Sequence, residues 1–279
     1  MSLSKTPTVG CVIRFNKHAS TLPLVIASLK RQTVQPDFIL GVDNNCQDES
    51  AEILRDAGAE IVRWTRPYSH AAVLNFGLSH CPTDYILVLS AHTVLEDDNV
   101  IEKMVEALQD PNVACASAKW EVNDHFYTDD ITWNELKEKG LRLGSIYSNS
   151  MGMLRRSFWL ETPFDEAIPT MEDYCWTIGQ LQKGRICRLL NFRFRYLRSG
   201  PARSYELTHA IFCIAALYNM RVVWCGPKQT LKVCLTRAID YYGLRKDPQG
   251  KAQLIDQLEK FRAWLAYSVG YRVPKIQAV

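Results

Sequence analysis

Arg14-Phe15-Asn16, Asp43-Asn44-Asn45, Arg66, His70, Ser90-Ala91-His92 and Glu172-Asp173 are the residues of this chain whose types and positions could do chemistry. Most follow a short run of strand-forming residues: Val9 to Arg14, Phe38 to Val42, Ile61 to Trp64 and Tyr85 to Leu89. A carboxylate, amides, an arginine, imidazole and an acid pair at one edge of a sheet suit a polar, phosphorylated ligand. The acid pair could take a proton from a hydroxyl. Imidazole could hold a metal ion or, when protonated, an anion.

Each cluster also has a plain structural reading. Asp and Asn favour turns, so Asp43-Asn44-Asn45 could be turn chemistry. Arg66 could be a solvated surface charge, and His70 a helix cap or a core residue. Glu172-Asp173 could suit a helix N-terminus through the helix dipole. Glu96, Asp97 and Asp98 read in the same way, as the start of a helix over 98–108.

Between the polar clusters the apolar residues switch from continuous runs to helical spacing. Leu22, Val25, Ile26 and Leu29 share one helical stripe, and so do Val100, Ile101, Met104, Val105 and Leu108. Repeated β-α-β units with continuous apolar strands imply an α/β fold, a mainly parallel sheet with helices on both faces. Ligands bind such sheets at the carboxyl ends of the strands, where these residues stand. The rhythm breaks over 119–147, an excursion read as a hairpin or a short helix. It returns with strands at 148–154, 185–189 and 192–197 and a helix over 172–183. From about 203 onward the pattern is helical, with Leu254, Leu258, Phe261 and Leu265 in one stripe.

The 279 residues are 47% hydrophobic and 23% charged, ordinary for a globular protein. A net charge of +3 gives no argument for nucleic acid. No apolar run approaches the roughly 18–20 residues that span a bilayer, and the N-terminus has no apolar signal segment. The 9 cysteines form no C-x-x-C pair and read as reduced core residues of a cytoplasmic protein. No glycine-rich phosphate loop follows the first strand, which argues against dinucleotide oxidoreductases and P-loop NTPases.

Four stretches, in order, resemble the family-2 glycosyltransferases of GT-A fold. "STLPLVIASLKRQT" is similar to L-x-x-x-L-x-S-L-x-x-Q-T, and "FILGVDNNCQDESAEIL" to I-I-V-V-D-D-G-S-x-D-x-T. "SHAAVLNFGLSHCPTDYILVLSAHTVLEDD" resembles G-x-x-x-A-x-N-x-G-x-x-x-A-x-G-x-Y-x-x-x-L-D-A-D. "SNSMGMLRRSFWLETPFDEAIPTMEDYCWTIGQLQKGRI" resembles the acceptor half, F-D-E … E-D. The similarity covers residues 7–200. It implies a GT-A domain over 1–200; residues 201–279 match no family motif and read as a helical extension, packed on that domain through its amphipathic faces. It also implies a nucleotide-diphosphate sugar donor and a saccharide or lipid-linked acceptor.

By that resemblance Asp43 would bond the donor's base, and Arg14, Phe15 and Asn16 would wall the nucleoside. Asn45, Arg66, His70 and Asn75 would lie near the donor. Asp173 would be the catalytic base, with Glu172 beside it, and the transfer would invert the anomeric carbon. Ser90-Ala91-His92 occupies the D-x-D position that normally holds Mg²⁺ or Mn²⁺. His92 is expected either to ligate the metal, since Mn²⁺ tolerates imidazole, or to donate directly to the diphosphate. His209 is a further candidate ligand. The rival expectations are an idle nucleotide-sugar-binding relative and a nucleotidyltransferase. The C-terminal helices are expected to pack on the domain, pair two copies, or touch a membrane peripherally through Trp264, Tyr267 and Tyr271 beside Lys260, Arg262 and Arg272.

Overall fold

The computed structural model describes residues 6–119, 128–197, 204–223, 227, 230–234 and 248–269. Tyr271 and Arg272 lie outside them. The chain divides into two compact units. The first holds residues 1–134, 144–166 and 172–199, and the second 135–143, 167–171 and 200–279.

The first unit opens with the alternation the sequence predicts: β1 (Val9–Phe15), α1 (Leu22–Lys30), β2 (Phe38–Asp43), α2 (Ser50–Asp56), β3 (Glu60–Arg63), α3 (His70–Ser79) and β4 (Tyr85–Ser90). It continues with β5 (Thr93–Leu95), α4 (Val100–Ala107), β6 (Val113–Ala118) and β7 (Asp130–Ile131). Helix α5 (Trp133–Lys139) begins in the first unit and runs into the second. After it come β8 (Met151–Arg155), α6 (Arg156–Glu161), α7 (Glu172–Gln182), β9 (Ile186–Leu190) and β10 (Phe194–Tyr196). Eight strands form one sheet in the order β3-β2-β1-β4-β8-β6-β9-β7. The first four are mutually parallel, β8 runs antiparallel between β4 and β6, and β7 is antiparallel to β9. The fold is α/β with a mostly parallel central sheet.

Two features depart from the simple β-α-β reading. The late strand β8 separates β4 from β6, so consecutive parallel strands are not neighbours there. An antiparallel strand needs no crossover helix, so chain returning from a long excursion can enter the sheet this way. The alternating segment around 192–197 joins β5 in a separate antiparallel pair. That pairing places Glu96 and Asp97 opposite basic residues. Asp97 accepts from the Arg193 backbone and guanidinium at 2.8 Å each, and Glu96 lies 3.5 Å from Arg195. The acids read as a helix start therefore precede α4, whose cap residue is Asn99.

The cap of α4 comes from a distance. The Asn99 side chain makes no capping bond. Instead Gln32 Oε1 accepts from the N–H groups of Val100 and Ile101 at 2.9 and 3.2 Å, while its Nε2 donates to Ser28 and Asp97 carbonyls. Gln32 is 4% exposed, so these bonds are what make its burial tolerable.

Alternation along β1 sets two faces. Val9, Cys11, Ile13 and Phe15 enter the core with Leu22, Val25, Leu29, Ile101 and Met104 of α1 and α4. Gly10, Val12 and Arg14 point the other way. On that side Gly77 lets α3 approach closely, since a Cβ there would lie 2.6 Å from Val42 and 3.0 Å from Val12. Arg14 is the partly exposed member of an otherwise buried strand.

The second unit contains α8 (Ser204–Leu217) and α9 (Pro248–Ser268), which pack together through Phe212 and Tyr267, their rings stacked at 5.3 Å. His209 is buried in α8, stacked on Tyr205 at 5.8 Å. Among the described residues no helix is long and apolar enough to cross a membrane.

Candidate active site

A cavity of about 150 Å³ opens at the carboxyl ends of β1 and β4. β2 and β3 lie on one side of β1 and β4 on the other, so this is the point where the strand order reverses and a crevice forms. Of the residues expected to act, Arg14, Phe15, Asn16, Ser90, Ala91 and His92 line it together, joined by Asn44. Phe15 and Ala91 are 1% exposed and form its apolar backing.

Four residues absent from the expected set complete the site. His18 lines the cavity and stacks on His92, rings 5.6 Å apart and 20° from parallel. Tyr196 meets His92 edge-on at 4.6 Å. The His18 Nδ1 accepts from the Asn16 backbone N–H at 3.1 Å, which leaves its proton on Nε2. Burial pushes the His18 imidazole down, Asp48 opposes this, and Arg14 adds to it. The strand-end argument that singled out Arg14 reaches His18 two residues beyond Asn16. Tyr68, the third, lines the cavity and follows from no pattern, and Tyr196 only from the half-exposed alternation of its strand.

Asn149 is the fourth. It lines the cavity immediately ahead of β8. Its backbone N–H donates to Asp173 Oδ2 and its side-chain Nδ2 to Glu172 Oε1, both at 3.1 Å. Its own Oδ1 is buried with no hydrogen-bond partner among the described residues. The acid pair begins α7, just after Met171, whose φ of 63° is the left-handed conformation that costs a side-chain-bearing residue energy. Burial, then the neighbouring Glu172, push the Asp173 carboxyl up to about 7, against the bonds donated by Asn149 and Tyr174. Such a carboxyl is poised to exchange protons near neutrality.

His70 stands behind Arg14 and not on the wall. Its Nδ1 is 3.1 Å from Arg14 Nη1 and 2.8 Å from the Tyr68 hydroxyl. Asp43 lies one residue from the lining Asn44. Its Oδ1 accepts from Cys46 N–H at 2.6 Å, a turn bond, and its Oδ2 is 3.9 Å from Arg63. Asn45, at φ 58°, completes that turn outside the lining. Asp48 holds the adjoining loop. Burial raises its carboxyl, but bonds from Ser50, Ala19 and Cys46 outweigh that and bring it to about 2.

Two expected donor residues are spent elsewhere. Arg66 is exposed and covers the Trp64 ring at 4.3 Å. Asn75 donates to Phe164 O and Glu166, and accepts from Trp159 Nε1 and Phe164 N–H, which uses its whole amide.

The donor set fits a protein-held divalent cation poorly. Around His92 stand a second imidazole, a serine hydroxyl and amides, with no Asp or Glu among the lining residues. Among the described residues no group of three His, Cys, Asp or Glu side chains could hold a metal ion. Mg²⁺ and Mn²⁺ favour carboxylate and other oxygen ligands.

A family model described as Glycosyl transferase family 2 matches residues 11–163, more than half of the chain. The O-antigen chain rhamnosyltransferase RfbN of Salmonella typhimurium is 22% identical over 182 residues, which cover 59% of this chain and 58% of that protein. The chain thus matches somewhat over half the length of that relative. The mannosyltransferase PcManGT of Pyrobaculum calidifontis, in complex with GDP-Man and Mn²⁺, superposes with a TM-score of 0.63 at 14% identity, over 94% of this chain and 87% of that one. Glucosyl-3-phosphoglycerate synthase of Mycobacterium tuberculosis, in complex with Mn²⁺, UDP and glucosyl-3-phosphoglycerate, superposes with a TM-score of 0.56 at 14% identity, over 79% of this chain and 82% of that one.

Proposed function

The chain belongs to glycosyl transferase family 2, and from that premise we propose an inverting transfer from a nucleotide-diphosphate sugar to an acceptor hydroxyl. The cavity at β1 and β4 takes the donor, and Asp173 is the base. The observation that carries this reading is Asn149, a wall residue of the cavity that bonds both Asp173 and Glu172. Asp173 removes the acceptor's proton as that oxygen forms its bond to the anomeric carbon. The bond from that carbon to the diphosphate oxygen breaks on the opposite face. The electron pair leaves with the nucleotide, and the configuration inverts. Glu172 raises the affinity of Asp173 for the proton through its charge.

Asp43 is assigned to the base of the donor, since its Oδ2 is not used in the turn and its neighbour Asn44 lines the cavity. The catalytic part is residues 1–200, with 201–279 as an extension. The likeness to an O-antigen chain rhamnosyltransferase favours a hexose or deoxyhexose donor and a surface-polysaccharide acceptor.

The test is a thermal-shift panel of UDP, GDP, dTDP and CMP, followed by transfer assays with the matching sugar nucleotides. A ligand that binds the folded form raises Tm by mass action. Asp173→Asn is expected to keep the best shift and to lose transfer. Near-normal turnover by that variant rules Asp173 out as base, and a panel without any shift rules out the donor.

A further inference from the structure

We propose that Arg14 holds the diphosphate of the donor, supplying the positive charge that a protein-bound cation would otherwise bring. The proposal deepens the donor reading above and rests on it. Arg14 projects into the cavity, and among the described residues its guanidinium has a single polar partner, His70 Nδ1 at 3.1 Å. Among the described residues no carboxylate forms an ion pair with it. A guanidinium has five N–H donors and no acceptor, so most of its donors are uncommitted. His70 must accept in that bond, so it orients Arg14 without adding or cancelling charge there. The Tyr68 ring, 5.5 Å from the guanidinium carbon, braces it from a second side.

The register of the sheet supplies the second argument. Arg14 on β1 pairs with Ser90 on β4. Neighbouring strands lie about 4.8 Å apart and paired residues point to the same face. A carboxylate at position 90 would stand within ion-pair reach of Arg14 and cancel it. Serine leaves the charge free to face a ligand. An acidic strand end that recruits a cation and a neutral one beside an arginine are two ways to put positive charge at the same place. The planar fork of arginine matches phosphate oxygens in pairs. As the bond to the sugar breaks, negative charge grows on the diphosphate, and a fixed guanidinium stabilises it without reorganisation.

Isothermal titration of the full chain with UDP, GDP and inorganic pyrophosphate, in EDTA and then in Mn²⁺, tests this. The preferred diphosphate is expected to bind in EDTA with a Kd that Mn²⁺ leaves unchanged. Arg14→Gln should raise that Kd by about 10- to 100-fold, while binding of the free nucleoside should weaken far less. Arg14→Lys keeps the charge and should lose less, which also serves if the glutamine variant fails to fold. Ser90→Asp should weaken binding in EDTA by pairing with Arg14. Binding that requires Mn²⁺, or an Arg14→Gln variant with wild-type affinity, overturns the proposal and leaves the donor reading standing. Pyrophosphate binding without any nucleotide binding does the reverse. Absence of all anion binding overturns both.

Discussion

Asn149 and Asp173 meet through one hydrogen bond, from the Asn149 backbone N–H to Asp173 Oδ2 at 3.1 Å. The bond ties an acid on the first turn of α7 to the wall of a cavity built from the ends of β1 and β4. A backbone donor cannot be mutated away, so the position of Asp173 depends on where β8 enters the sheet. Asn149→Ala should therefore keep Asp173 in place and lose only the side-chain bond to Glu172. We expect a drop of about tenfold or less in kcat/KM, in line with one hydrogen bond, read by steady-state kinetics.

The raised Asp173 carboxyl predicts a pH profile. A base works ionised, so kcat/KM should fall tenfold per unit below about 7. Glu172→Gln removes the neighbouring charge and should shift that limb to lower pH. The same group predicts a stability trend. Its folded value lies above the ordinary 3.8, so its contribution to stability is present below that pH and is lost as the pH rises through about 7. Urea melts across this range should show a flatter slope for Asp173→Asn. An unshifted acid limb in Glu172→Gln would remove the electrostatic account.

Gln32→Ala should cost about 2–4 kcal/mol, because it strands the buried N–H groups of Val100 and Ile101 and leaves the partly buried Asp97 carbonyl without this donor. Urea denaturation measures it. A loss below 0.5 kcal/mol, the size of a neutral surface change, would mean that the start of α4 finds other partners.

Gly77→Ala sets two effects against each other. Alanine favours a helix over glycine by about 1 kcal/mol. Its Cβ would lie 2.6 Å from Val42, and overpacking of a core costs about 1–3 kcal/mol. Net destabilisation is expected, seen as a lower Tm. A higher Tm would show that α3 shifts outward freely.

Asn75→Ala separates the role implied by family resemblance from the one its bonds describe. Four hydrogen bonds to Trp159, Phe164 and Glu166 place it as a clamp between α3 and the segment after β8. Stability should fall by about 2–3 kcal/mol, with nucleotide affinity unchanged in protein that remains folded. A selective loss of affinity without loss of stability would restore the donor role.

The sequence by itself determined the strands that carry the site. The apolar runs before Arg14, Asp43 and Ser90 are local patterns, and alternation along a strand is a property of the backbone. That is why the chain alone places Arg14, Asn16, Ser90 and His92 as neighbours at one sheet edge. The identity of Ser90-Ala91-His92 likewise shows, without coordinates, that carboxylates are missing at that turn. Tertiary structure alone decided how the side chains are used. Asn75 sits in a motif that resembles a donor contact, yet its amide is consumed by residues more than 80 positions away. His18 meets His92 across 74 positions, and Asn149 reaches the acids because β8 slots antiparallel beside β4. Such pairings depend on strand order and register, which arise from the packing of distant segments and leave no periodic trace in the chain.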